Sequence, residues 1–198
     1  MFKFAAAAGL AIGALTVPAL AADLIVDQGP ATYDPSPVTS GLYLQLLGGA
    51  TLPGTFDGYD IPSSWAIAGV VGVGTGIDGL SVEADGFYSQ ADYEDGDYTL
   101  TTGALMATLK YTATLSDTFS VYGAVGLGGV YLRDEDSDGS SVYSEGWGAG
   151  YLLKAGVTAA VADNVALVGE VRYTDSFAPI DDVEKGTAAV LAGIHIGF

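Results

Sequence analysis

From Gly41 to the C-terminus the chain alternates between apolar and small or polar residues, in runs separated by turn-rich breaks. Such a period of two is the signature of strands with two different faces. Eight runs are legible: Gly41–Ala50, Trp65–Thr75, Leu80–Ser89, Tyr98–Leu115, Phe119–Leu132, Trp147–Val161, Val165–Tyr173 and Thr187–Phe198. Within Leu80–Ser89, for example, Leu80, Val82, Ala84 and Tyr88 share one face, and Ser81, Glu83 and Asp85 the other.

The breaks alternate too. After the second, fourth and sixth runs they are brief: Gly76–Gly79, Ser116–Thr118 and Ala162–Asn164. After the first, third, fifth and seventh they are long and polar. Short turns on one side and long loops on the other are the layout of an outer-membrane barrel. A soluble sandwich or lipocalin-like barrel also alternates, so the faces must decide. A soluble domain would carry Lys, Glu and Thr on its outer face. Here the bulky apolar face is opposed mainly by Gly, Ala, Ser and Thr. A small barrel wants small residues inside, where little room exists, and its bulky face then meets lipid. The expected fold is all-β: an eight-stranded antiparallel up-and-down transmembrane β-barrel over residues 41–198. Trp65, Tyr88, Tyr111, Phe119, Tyr131, Trp147, Tyr151, Tyr173 and Phe198 fall on its outward face, most near strand ends, as an interfacial aromatic girdle requires.

The first 40 residues have another texture. Residues 1–21 read as a secretory signal peptide: Lys3, then an apolar or small run from Phe4 to Val17, then Ala19-Leu20-Ala21 as the cleavage pattern. Residues 22–40 hold Pro30, Pro35 and Pro37 and read as an extended lead-in.

Charge changes this picture in one respect. The chain has 24 acidic and 6 basic residues, a net charge of −18, although 49% of it is hydrophobic. Such an acid excess repels phosphate and speaks against nucleic acid as a partner. The absence of cysteine excludes disulfides and thiolate chemistry. The charges on the inward faces nevertheless balance: Glu83, Asp85 and Glu170 against Lys110, Lys154 and Arg172. Unpaired charge in a dry lumen is costly, so these six are expected to form an interior ion-pair network, with Gln45 and His195 nearby as hydrogen-bonding groups. The imbalance lies in the long loops, which hold 15 of the acids and read first as a solvated, repulsive rim.

One loop segment matches a sharper pattern. Asp134, Asp136 and Asp138, followed by Gly139 and, after five residues, Glu145, fit the D-x-[DN]-x-[DN]-G-x5-E calcium loop, with the Ser140 carbonyl as a further ligand. Ser141 departs from the pattern, and the flanks are strands. No other cofactor is expected. His195 is the only histidine and has no serine beside it in its run, so enzymatic activity is not expected.

The C-terminal run carries a resemblance. Val190-x-Ala192-x-Ile194-x-Ile196-x-Phe198 resembles the signal that outer-membrane barrels present to their assembly machinery, with Val190, Ile194, Ile196 and Phe198 as its apolar positions. Phe119–Gly128, and Asp163–Leu167 leading to Glu170-Val171-Arg172-Tyr173, resemble recurring strands of the OmpA-like eight-stranded outer-membrane barrel family, of the surface-antigen and opacity-protein type. The resemblance spans about Gly41 to Phe198. It implies location in the cell outer membrane, contact with its lipid, delivery through the barrel-assembly machinery, and a structural or surface-interaction role with an unidentified extracellular ligand. Longer relatives carry a peptidoglycan-binding domain after the barrel, and none is expected after Phe198. The alternative function is a small porin for ions or solutes; an eight-stranded lumen is just wide enough to be filled by side chains.

Overall fold

The computed structural model describes residues 41–56, 59–92, 98–136, 139–180 and 186–198. The expected signal peptide and lead-in, and Asp138 of the calcium pattern, lie outside the described residues. Ten strands follow in chain order: β1 (Leu42–Thr51), β2 (Gly54–Phe56), β3 (Tyr59–Ile61), β4 (Trp65–Gly74), β5 (Leu80–Asp92), β6 (Tyr98–Thr114), β7 (Phe119–Asp136), β8 (Val142–Ala162), β9 (Val165–Ser176) and β10 (Thr187–Gly197). Eight of them close a barrel in the order β1-β10-β9-β8-β7-β6-β5-β4, every pair antiparallel. The fold is the all-β barrel expected from the alternation. The exception is β2–β3, a small separate hairpin within the first long loop.

Closure rests on the β1–β10 seam, where Tyr43 faces Gly197, Gln45 faces His195 and Leu47 faces Gly193. The seam is extended by the Phe198 amide, which donates to the Leu42 carbonyl (2.9 Å). At the short turns the residue types fit the geometry. Gly76 and Gly79 take positive φ (82° and 76°) between β4 and β5, a region open to glycine at little cost. Between β6 and β7, Ser116 Oγ accepts from the Phe119 amide (3.1 Å).

Alternation survives in the burial pattern. Leu46, Ile67, Leu105, Leu127 and Trp147 are exposed on the outside, and Gln45, Glu83, Lys110 and Arg172 are buried inside. Two features depart from the sequence reading. First, the strands around the long loops run further than their apolar pattern: β5 continues to Asp92, β7 to Asp136, β9 to Ser176, and β8 starts at Val142. Beyond the membrane band water covers both faces, so backbone pairing persists after the hydrophobic period stops. Second, the inner face is not uniformly small. Leu47, Phe87, Met106, Val130, Leu132, Leu152 and Leu191 are buried within it. They belong to one apolar cluster that also includes Ile180 from the β9–β10 loop. Gly146 and Gly148 make room there, since a Cβ at Gly148 would strike the Ile180 side chain.

A glycine at the seam should be far less replaceable than one on the open outer face. A Cβ at Gly193 would meet the Leu46 carbonyl and adjoining backbone, whereas at Gly69 it would meet nothing within 4 Å. Gly193→Ala is expected to destabilise the barrel by about 1–3 kcal/mol, the usual cost of overpacking. Gly69→Ala should be near neutral. Urea unfolding, followed by loss of the fast-migrating folded band on unheated gels, measures both.

Candidate functional site: the charged lumen and the acidic rim

The six charged residues expected on the inward faces meet in the lumen. They come from four strands: Glu83 and Asp85 on β5, Lys110 on β6, Lys154 on β8, Glu170 and Arg172 on β9. Lys154 Nζ lies 2.7 Å from Glu83 Oε2 and 2.6 Å from Asp85 Oδ2. Lys110 Nζ takes Glu83 Oε1 at 2.6 Å. Arg172 Nη1 and Nη2 donate to the two Asp85 oxygens (2.9 and 3.1 Å), while its Nε donates to Glu170 Oε1 (2.8 Å). All six residues are buried. Since β5 is hydrogen-bonded to β4 and β6, its ion pairs with β8 and β9 bridge walls that the backbone ladder does not join.

The arrangement obeys the rule for buried charge: each group is paired and most remaining lone pairs are occupied. Two tyrosines complete it. Tyr43 Oη donates to Glu83 Oε1 (2.7 Å) and Tyr122 Oη to Glu170 Oε2 (2.7 Å). Lys110 Nζ also stands 4.2 Å from the centre of the Tyr43 ring, a cation–π distance. Tyr122 is missing from the sequence-level set, although it sits two residues before inward-facing Ala124, so strand parity would have found it. Gln45 and His195 adjoin the cluster: Gln45 Nε2 is 3.1 Å from His195 Nδ1, and the imidazole stacks on Tyr43 at 4.8 Å.

At the extracellular end the calcium-pattern residues are spread over paired strands. Asp134 and Asp136 end β7, and Glu145 lies on β8 opposite Arg133. Strand parity turns Glu145 to the same outward face as Trp147, and Asp134 to the inward face with Leu132. Glu145 Oε1 accepts from Tyr131 Oη (2.7 Å). Asp136 accepts from Ser140 Oγ and Tyr143 Oη (3.0 Å each), and that bond raises the Tyr143 phenol pKa above its usual value. Gly139 turns the chain with φ 71°. Among the described residues, no three acidic or histidine side chains converge as a metal would need.

The terminal run is placed as β10. Val190 and Ile194 are outward and partly exposed, Ile196 shares their face by parity, and Phe198 is largely exposed beyond the strand end. Aromatic pairs ring the extracellular side of the outer face: Trp65 with Tyr88 (5.4 Å), Tyr131 with Trp147 (5.3 Å) and Tyr151 with Phe177 (5.4 Å).

Comparison with known proteins fits this architecture. The family model described as outer membrane protein beta-barrel domain matches residues 7–195. The chain belongs to that outer-membrane barrel family. It is a protein of the outer membrane, with the lipid of that membrane around its strands. Among solved structures, Neisserial surface protein A (NspA) is similar at 19% identity, over 80% of this chain and 98% of that one, with a TM-score of 0.64. OprG from Pseudomonas aeruginosa is similar at 17% identity, over 81% and 97%, with a TM-score of 0.55. Ail, the attachment invasion locus protein of Yersinia pestis, is similar at 16% identity, over 79% and 99%, with a TM-score of 0.53. At these identities the likeness is one of fold. A search of curated proteins finds no match.

Removing the cation shared by two carboxylates tests the lumen network. Lys154→Met leaves Glu83 and Asp85 short of charge in a buried site and should cost about 3–5 kcal/mol. Adding Asp85→Leu should recover part of that loss, because fewer buried acids then lack a partner. Urea unfolding of the single and double variants in lipid vesicles gives both values.

Proposed function

We propose that this barrel serves as a structural and surface-interaction protein of the outer membrane, with no enzymatic activity and no open pore. The observation that carries the reading is the filling of the lumen. A paired charge cluster occupies its lower part, with Tyr43, Tyr122 and His195 packed on it, and an apolar cluster including Phe87, Leu132 and Leu152 is buried in the part above. An ion crossing would have to break buried pairs and pass buried apolar side chains, and both are costly. The family and the surface-protein neighbours support a role at the cell surface. A porin would need a water-filled path, and no observation favours one.

The acidic loops are read as the surface on which an extracellular ligand would be sought, and as a rim that keeps neighbouring barrels apart. The β7–β8 tip belongs to that rim. Tyr131 holds Glu145 on the outward face and Tyr143 holds Asp136, so the calcium pattern of Asp134, Asp136, Asp138, Ser140 and Glu145 would have to reorganise to share one ion. Delivery by the barrel-assembly machinery through Val190, Ile194, Ile196 and Phe198 fits the outward, partly exposed face that β10 presents.

Two measurements bear on this reading. In planar bilayers the purified protein is expected to give no steady conductance steps, and regular cation-selective openings would replace the structural reading with the pore. Calorimetry with calcium on the folded protein is expected to show no saturable heat. A saturable signal abolished by Glu145→Gln would restore the metal site.

A further inference from the structure

The extracellular mouth of the lumen encloses a cavity of about 80 Å³, between the upper ends of β1, β5, β6 and β10 and the last residue of β3. Its lining changes character with depth. At the top, Ala91 of β5 faces Leu100 of β6, and Ile61 packs on both as a small buried apolar collar. Two residues deeper along the same strands Ser89 faces Thr102, and Thr187 of β10 joins them. The frame is tied on its other side. The Thr51 amide donates to the Ser64 carbonyl (2.8 Å) and the Leu52 amide to the Ala188 carbonyl (2.8 Å).

Hydrogen-bonding capacity is left over on the deeper level. Thr51 Oγ1 is engaged, since it accepts from the Ser64 amide (3.0 Å) and lies 3.0 Å from Ser64 Oγ. Thr187 Oγ1, by contrast, reaches Thr102 Oγ1 only at 3.5 Å. Ser89 is 4% exposed, and its hydroxyl forms no hydrogen bond among the described residues. A buried hydroxyl without a partner is costly, and this one lines the cavity.

These features select an occupant. No charged residue lines the cavity, so an ion would be buried without a partner and the occupant is neutral. Water suits the deeper hydroxyls but finds no polar partner within the collar, and a bound water needs two to four. The fitting group carries a hydroxyl at its tip and carbon behind it. The volume is about half that of a cavity known to hold benzene, so it takes roughly three or four heavy atoms, the end of a larger molecule.

We propose that this cavity binds the uncharged hydroxymethyl end of an extracellular sugar. The sugar hydroxyl meets Ser89 and the Thr102–Thr187 pair, and its carbon lies in the collar of Ile61, Ala91 and Leu100. This gives the surface-interaction reading a ligand class, and rests on that reading only for the side of the membrane that the mouth faces. Conductance in a planar bilayer would overturn the closed lumen and leave the sugar titration unchanged.

The test is a titration of methyl-labelled protein in phosphatidylcholine nanodiscs with methyl glucoside, followed by NMR. Saturable shifts are expected at the Ile61 and Ala91 methyls, with the exposed outward Ala107 unmoved. The analogue whose hydroxymethyl is replaced by methyl should bind about tenfold more weakly, the worth of a hydrogen bond to a buried group. The glucuronide, with a carboxylate in that position, should give no shift. Ser89→Ala should weaken methyl glucoside by about threefold to tenfold and reduce its advantage over the methyl analogue. Ala91→Leu should fill the cavity and abolish binding; if it fails to give the folded gel band, Ser89→Ala decides. No saturable shift, meaning a cavity that holds water only, overturns the proposal. So does equal binding of the glucoside and its methyl analogue, or a response at Ala107 as large as at Ala91.

Discussion

Every backbone amide and carbonyl of this chain that lies in hydrocarbon must find a partner within the protein. Water is absent there, and each unsatisfied group costs several kcal/mol. A sheet meets this constraint only by having no edge. The pairing of β1 with β10 removes both edges at once, and the rest follows from it. The strands alternate because one face must meet lipid. Short turns return the chain on one side, and long polar loops leave it on the other.

Closing eight strands leaves a lumen that side chains must fill. The chain fills it in two ways. The lower part holds acids and bases in equal number, and Asp85 is shared by Lys154 and Arg172. A pair of this kind gains little over a well-packed apolar alternative, but it joins walls that are not neighbours in the sheet. The upper part mixes an apolar cluster with buried hydroxyls such as Ser89, Thr102 and Thr187, and Ile180 from a loop packs against Gly146 and Gly148. The lumen and the outer face thus use glycine differently. Inside, Gly148 admits another side chain. Outside, Gly69 and Gly86 leave a recess on the lipid-facing side of the sheet.

The acid excess is a property of position. Inside the barrel charges balance, and the surplus acids cluster on the extracellular extensions of β5, β7, β8 and β9 and on the loops they support. There the aqueous solvent screens them, and the few contacts among them, such as Tyr131 with Glu145 and Tyr143 with Asp136, hold individual carboxylates on the strand surface.

The period of two determined by itself the eight strands that close the barrel and which face each of their side chains takes. That information is local, because parity along a strand is fixed by the pleat. It placed Glu83, Asp85, Lys110, Lys154, Glu170 and Arg172 inside without any knowledge of their neighbours. It ended strands early, at Ser89, Leu132 and Tyr173 where the strands run to Asp92, Asp136 and Ser176, because the alternation it reads is imposed by lipid and stops where the membrane stops. Which charges would touch, that Tyr43 and Tyr122 would join them, and that Ile180 would settle on Gly148 are contacts between strands far apart in sequence. The spread of Asp134 and Glu145 to opposite faces of a strand pair also escaped a linear motif, since the motif assumes a loop and the register supplied a ladder. Those arrangements depend on the register across the closed sheet, and only the tertiary structure decides it.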